Sequence, residues 1–221
     1  MSPLPLEPID AWARAELDAR NAAREQALRW SRELVRASAN AIRAIHRREF
    51  SRAEELLAEA AELNGRLSGL KTTMADLYWA GYVQDAQKEL VEARATLGLV
   101  RDGQLPDPVA LGVAPAPFLN GLAEAVGELR RYVLDMLRRG EVDGCERLLE
   151  AMDDIYGLLV TVDYPDALTG GLRRTTDSTR GILEKTRGDL TLALRQDALV
   201  AALDSAAGKR AGGGLSGGPV Q

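Results

Sequence analysis

Cysteine and histidine are almost missing: Cys145 and His46 are the single examples in 221 residues. One cysteine excludes a disulfide framework and any multi-cysteine zinc or iron–sulfur site, and points to a reducing compartment. One histidine excludes paired-histidine metal motifs, including the two Glu-x-x-His repeats of ferritin-like di-iron centres. A Ser-His-Asp or Cys-His enzyme would have to use His46 itself. No apolar run approaches the ~20 residues needed to cross a bilayer. The Pro-rich start, Ser2 to Pro8, lacks the basic-then-apolar pattern of a secretory signal. A soluble, cytoplasmic protein with no membrane partner is expected.

Lysine is scarce as well. Of 28 cationic residues only Lys71, Lys88, Lys185 and Lys209 are lysines, against 33 acids and a net charge of −5. Arginine presents a planar fork to carboxylates and phosphates, so the placement of the arginines matters more than the net charge. An acidic chain argues weakly against nucleic acid, because a segregated basic face can still bind it.

What remains is helix. Apolar residues, 46% of the chain, recur at helical spacing between a few Gly/Pro clusters. Helices are predicted from about Pro8 to His46, from a capping-box start at Ser51 to Asn64–Gly65 or Gly69, and from Thr72 to Val100. After a stop at Arg101 to Gly103, a turn-rich connector defined by Pro106, Pro108, Pro115 and Pro117, with one helical turn at Val109–Gly112, leads to helices from Pro117 to Arg139 and Glu141 to Val162. The last runs from Pro165, past a weak point at Gly170-Gly171, to Ala207. The expected fold is an all-α bundle of six or seven long antiparallel helices. It forms one domain over residues 1–207, with a Gly-rich disordered tail over 208–221. Long helices wrapped by few partners leave apolar stripes that oligomerisation can cover.

Two constellations carry chemistry. On the first helix, Arg29, Arg32, Arg36, Arg43 and Arg47 share one face over about 27 Å, opposite the stripe through Trp12, Trp30, Leu34 and Ala41. Such a face is either a solvated one paired with neighbouring acids or a rail for a phosphate backbone. The second is acidic. Asp85, Glu89 and Glu92 line one margin of the third helix, and Glu124 and Glu128 stack four apart on the fourth. By periodicity these are ordinary polar faces. If the two helices face each other, paired carboxylates would form an oxygen-only site for Mg²⁺ or Mn²⁺. The Arg173, Arg180, Arg187 series has Asp177 and Glu184 within pairing distance and reads as structural. Gly212-x-Gly214-x-x-Gly217 matches a dinucleotide fingerprint only formally, with no strand before it, and no P-loop is present. His46 at a helix end reads as a capping or surface residue, and Cys145 as a small packed one.

The segment Phe118-Leu-Asn-Gly-Leu-Ala-Glu-Ala-Val-Gly-Glu-Leu-Arg-Arg131 resembles a motif of the translin family, in its translin-associated factor X branch: aromatic-Leu-x-Gly-x-x-Asp-x-x-Gly-Glu-Leu-x-Arg. Gln87-Lys-Glu-Leu-Val-Glu-Ala93 is similar to that branch's other acidic motif, and Leu172-Arg-Arg-Thr-Thr-Asp177 fits its last helix. The resemblance covers about residues 10–200. It implies an all-helical fold assembling into hollow octamers that enclose RNA or single-stranded DNA, with Mg²⁺-dependent endoribonuclease activity carried by four acids. Those four fall on Glu89, Glu92, Glu124 and Glu128, as catalytic residues and metal ligands. Position 124 holds Glu where the pattern has Asp, one methylene longer. The stretch Leu77-Tyr-Trp-Ala-Gly81 lacks the His/Arg cluster through which translin binds nucleic acid. The arginines of the first helix are the expected nucleic-acid contacts instead. Three functions stand open: a homo-oligomeric metal-dependent endoribonuclease, a non-catalytic single-stranded RNA/DNA-binding oligomer, and a helical scaffold.

Overall fold

The computed structural model describes residues 4–212, and among them helices alternate with short turns and no strand occurs. Six long helices make the bundle: α1 (Glu7–His46), α2 (Phe50–Thr73), α4 (Gly81–Arg101), α6 (Pro115–Arg138), α7 (Cys145–Thr161) and α9 (Leu172–Gly212). Three single turns, α3 (Ala75–Tyr78), α5 (Pro108–Leu111) and α8 (Asp166–Thr169), sit in the connections. The all-α expectation holds. α9 continues five residues past the expected boundary at Ala207, while the rest of the Gly-rich segment, from residue 213 on, lies outside the described residues.

Three local expectations are corrected. Gly65 and Gly69 do not end α2, because Leu63, Leu67 and Leu70 pack into the core and carry the helix to Thr73. Ser51 caps nothing, since Glu49 is the N-cap and no side-chain cap bond forms. The helix expected from Thr72 is broken at Met74 (φ −146°, ψ 69°) and again at Ala80. The hydroxyls of Thr72 and Thr73 donate to the Gly69 carbonyl, which competes with helical continuation. Tyr78 is then turned into the core and buried. The weak point at Gly170-Gly171 is a true break, with φ +62° and +82° separating α8 from α9.

The helices form a file. α1 packs on α2 and α4, α4 on α6, and α6 on α7 and α9. Leu34 and Ile45 of α1, Leu57 and Leu67 of α2, Leu90 of α4, Leu122 and Leu129 of α6 and Leu148 and Met152 of α7 are fully buried along this line. The ends of the file protrude. Burial on α1 begins only at Ala27, leaving Trp12 and Leu17 in solvent, and Leu192, Leu199 and Leu203 of α9 are likewise exposed.

The α4–α6 crossing is close because of one glycine. A Cβ on Gly121 would fall 2.6 Å from the Lys88 carbonyl oxygen and 2.6 Å from Val91 Cβ. Both contacts are with atoms that cannot swing aside, so the two backbones touch where only a hydrogen fits. Beside the crossing, buried Asn120 donates to the carbonyls of Ala116 (2.9 Å) and Thr169 (2.7 Å), and its Oδ1 accepts from Thr175 (2.9 Å). This ties the start of α9 to α6.

Gly121→Ala should therefore lower stability by about 1–3 kcal/mol despite alanine's better helix propensity. Gly157→Ala in α7, where nothing lies within 4 Å, should instead stabilise by about 0.5–1 kcal/mol. Thermal unfolding of the two variants beside the parent checks the opposite signs.

Candidate metal and nucleic-acid site

The crossing at Gly121 sets the acids against one another. Leu90, Val91 and Ala93 on α4 and Ala123 and Ala125 on α6 are buried, which fixes the rotation of each helix. Glu89 and Glu92 then project from one side of the crossing, with Glu124 facing them from one turn beyond Gly121. One carboxylate oxygen from each of Glu89, Glu92 and Glu124 lies within 4.8 Å of the others. All three side chains are half-buried.

Like charges held together under partial burial resist ionisation. Burial, and then the neighbouring Glu89, Glu124 and Glu128, push Glu92 up to about 8. Burial and the charge of Glu124 shift Glu89 in the same direction. One cation answers this charge directly: Lys88 Nζ donates to Glu124 Oε1 at 2.7 Å. Burial opposes the Lys88 charge, but that bond and the surrounding acids strengthen its hold on the proton overall.

Glu128 has a different partner. The lone histidine, expected at the surface, has its side chain buried, and its Nε2 donates to Glu128 Oε2 at 2.5 Å. Arg131 Nη1 stands 3.7 Å from the same oxygen. The His46 bond, against the effect of burial, holds Glu128 below the usual carboxylate range. Three of the four expected acids thus converge, while the fourth, one turn along α6, is engaged by His46. His46 Nδ1 is buried without a hydrogen-bond partner.

Two grooves open beside the carboxylates. One, about 550 Å³, is lined by Glu92, Glu124, Arg174, Thr175, Ser178 and Thr179. The other, about 660 Å³, runs from Trp79 past Lys88 and Glu124 to Arg174. The sequence pattern gave Lys88 and Arg174 no role and read His46 as a capping or surface residue. Lys88 and Arg174 lie inside the quoted motifs and were legible there. No local signal marks His46, whose partner is 82 positions away.

The arginine face stands apart. Arg29, Arg32, Arg36, Arg43 and Arg47 are all exposed, on the side of α1 opposite its buried residues. Among the described residues none of them forms an ion pair; Arg29 donates to Gln26 and Arg43 to Asn40, both neutral. The reading in which these arginines pair with acids of neighbouring helices is corrected, because α1 meets α2 and α4 through its other face. None of the five touches the carboxylate group.

No family model matches the chain. An uncharacterised protein of Methanocaldococcus jannaschii is 33% identical over 172 residues, covering 77% of this chain and 76% of its own length. Among solved structures, AfC3PO in a complex with duplex RNA is 36% identical with a TM-score of 0.78, over 84% of this chain and 96% of that one. A crystal structure of AfC3PO is likewise 36% identical with a TM-score of 0.78, over 84% of this chain and 97% of that one. Apo-NeC3PO superposes with a TM-score of 0.76 over 87% of this chain at 19% identity, a likeness of fold alone.

The raised Glu92 has a stability signature. Its pKa rises from 4.5 to about 8 on folding, so the folded state binds the proton more tightly and the stability this confers is complete below about pH 4.5. That stability is lost as pH rises toward 8. Glu128, shifted down, acts in the opposite sense and below this window. Glu92→Gln should melt at a higher temperature than the parent by a margin that widens from pH 5 to about pH 8.5, as read by calorimetry. A margin that stays flat with pH contradicts the assignment.

Proposed function

Because this chain belongs to the C3PO/translin family, we propose that it is a homo-oligomeric RNA-binding protein that cleaves RNA with Mg²⁺ or Mn²⁺ at Glu89, Glu92 and Glu124. Glu128 serves as the fourth carboxylate, as in the factor X branch. The observation that carries the reading is the convergence of three carboxylate oxygens within 4.8 Å. An all-oxygen, half-buried donor set suits a hard divalent cation such as Mg²⁺ or Mn²⁺. Bound there, the ion would polarise a phosphodiester and lower the pKa of an attacking water.

The protein's own groups divide the remaining work. Glu128, kept ionised by His46, is oriented at the rim as an anion, whereas Glu92 is protonated near neutrality and releases that proton when a cation displaces it. Arg174, lining both grooves beside Glu124, places a guanidinium where a phosphate would approach. The five α1 arginines, exposed and without ion pairs, are suited to hold a backbone without reading bases. The RNA duplex bound by AfC3PO supports RNA as the substrate class, with single-stranded DNA a further ligand of the same chemistry. The uncovered apolar residues of α1 and α9 support assembly with further copies, up to the octamer that the family resemblance implies.

One observation favours a second reading. Lys88 already provides a counter-charge to Glu124, which would suit a protein that binds RNA without cutting it. Cleavage assays separate the two. Glu89→Gln or Glu124→Gln should abolish Mg²⁺-dependent RNA cleavage and leave RNA affinity equal or tighter. His46→Ala should slow cleavage by about 10–100-fold, as expected for a partner that orients a site carboxylate. Cleavage unchanged by the Gln variants, or absent from the parent in both Mg²⁺ and Mn²⁺, contradicts the nuclease reading. Independently, replacing one exposed α1 arginine such as Arg36 with Ala should reduce the slope of log K against log salt by about one.

A further inference from the structure

The aromatic residue of the groove beside the carboxylates is Trp79, in the turn between α3 and α4. The residue is 54% exposed, yet it is held in place. Its ring meets that of buried Tyr78 edge-on, with centroids 4.9 Å apart and planes at 80°. Lys71 Nζ lies 6.0 Å from its centroid, and Gln84 Nε2 donates to the Tyr78 carbonyl at 2.9 Å, closing the turn. A large indole fixed by its neighbours and left facing solvent is poised for a flat partner.

The rest of the groove narrows what that partner is. The same 660 Å³ cavity holds Arg174 and the Glu124-bonded Lys88 as cations, Asp85 and Glu124 as carboxylates, and Gln84 as a hydrogen-bonding amide. An occupant that uses the whole groove offers an aromatic face to Trp79, polar edges nearby and an anionic group toward Arg174, since Lys88 is taken up by Glu124. A nucleotide of an unpaired strand offers all three. Base–aromatic stacking is indifferent to base identity, because every base has a π-face.

We infer that Trp79 is a stacking platform for an unpaired nucleobase on the strand that the carboxylates act on; this rests on the nucleic-acid reading above. On α4, Glu89 lies eight steps beyond Gly81, about 12 Å along the helix, several times the ~3.4 Å rise per nucleotide of a stacked strand. A strand with one base on the indole can thus present the phosphate of another nucleotide to the carboxylates. A base inside a duplex has both faces covered, so the platform takes single-stranded or frayed ends in preference to paired RNA.

The test uses the full-length protein in EDTA, so that cleavage plays no part, titrated with a short single-stranded RNA, a duplex of equal length and an abasic strand of equal length. The single-stranded RNA should quench indole emission, and the abasic strand and the duplex should do so far less. Trp79→Ala should weaken single-strand binding about tenfold, while Trp79→Phe should stay within about threefold of the parent and lose most of the quenching. Full quenching in Trp79→Phe, or parental affinity in Trp79→Ala, overturns the inference. A fall in particle mass of Trp79→Ala by light scattering also overturns it, by assigning the indole to a contact between copies. If no strand binds the parent protein, the nucleic-acid reading itself fails and takes this inference with it.

Discussion

The contact on which the site depends is the one between the α4 and α6 backbones at Gly121. A hydrogen in place of a methyl lets the Lys88 carbonyl and Val91 approach α6, and the distance between the two helices decides everything built on them. Glu124 follows one turn after the glycine, so closeness at Gly121 becomes closeness of Glu124 to Glu89 and Glu92. The same helices are gripped from both flanks, by α1 on α4 and by α7 and α9 on α6. Rigid packing holds the carboxylates where mutual repulsion would otherwise spread them.

That arrangement stores an electrostatic cost. Three half-buried carboxylates with one lysine among them leave Glu92 protonated at neutral pH, and loss of that proton weakens folding as pH rises. Carboxylates shifted in this way by burial and by one another cluster at functional sites. Glu128 escapes the cost because His46 supplies a hydrogen bond from α1, so the helix that carries the arginine face also sets the charge state of the fourth acid. Two nearby carboxylates are thereby driven to opposite protonation states, a separation that suits one to release a proton and the other to remain an anion.

Part of this is legible in local spacing. The 3.6-residue periodicity placed the long helices, but by spacing Glu89/Glu92 and Glu124/Glu128 were ordinary polar faces, and only the likeness to the translin family's acidic motifs, one of which contains Gly121, singled them out. Side-chain competition at Thr72 and Thr73, the core burial of Tyr78 and the passage of α2 through Gly65 were not legible, because each is decided by neighbours distant in sequence. The same holds for His46, whose role rests on a partner 82 residues away. The stripe through Trp12 reads as a buried face by pattern, yet the chain alone covers it only from Ala27 onward. Helical periodicity reports that a face needs covering, not which molecule covers it.

The central claim is that Glu89, Glu92 and Glu124 share one divalent cation. Titrating Mn²⁺ into the protein near pH 7 and following the free ion by electron paramagnetic resonance, with proton release recorded in parallel, tests it most directly. The account predicts one saturable site per chain with a proton set free on binding, and loss of that site in Glu89→Gln. Absence of saturable binding, or binding that survives Glu89→Gln undiminished, would contradict it.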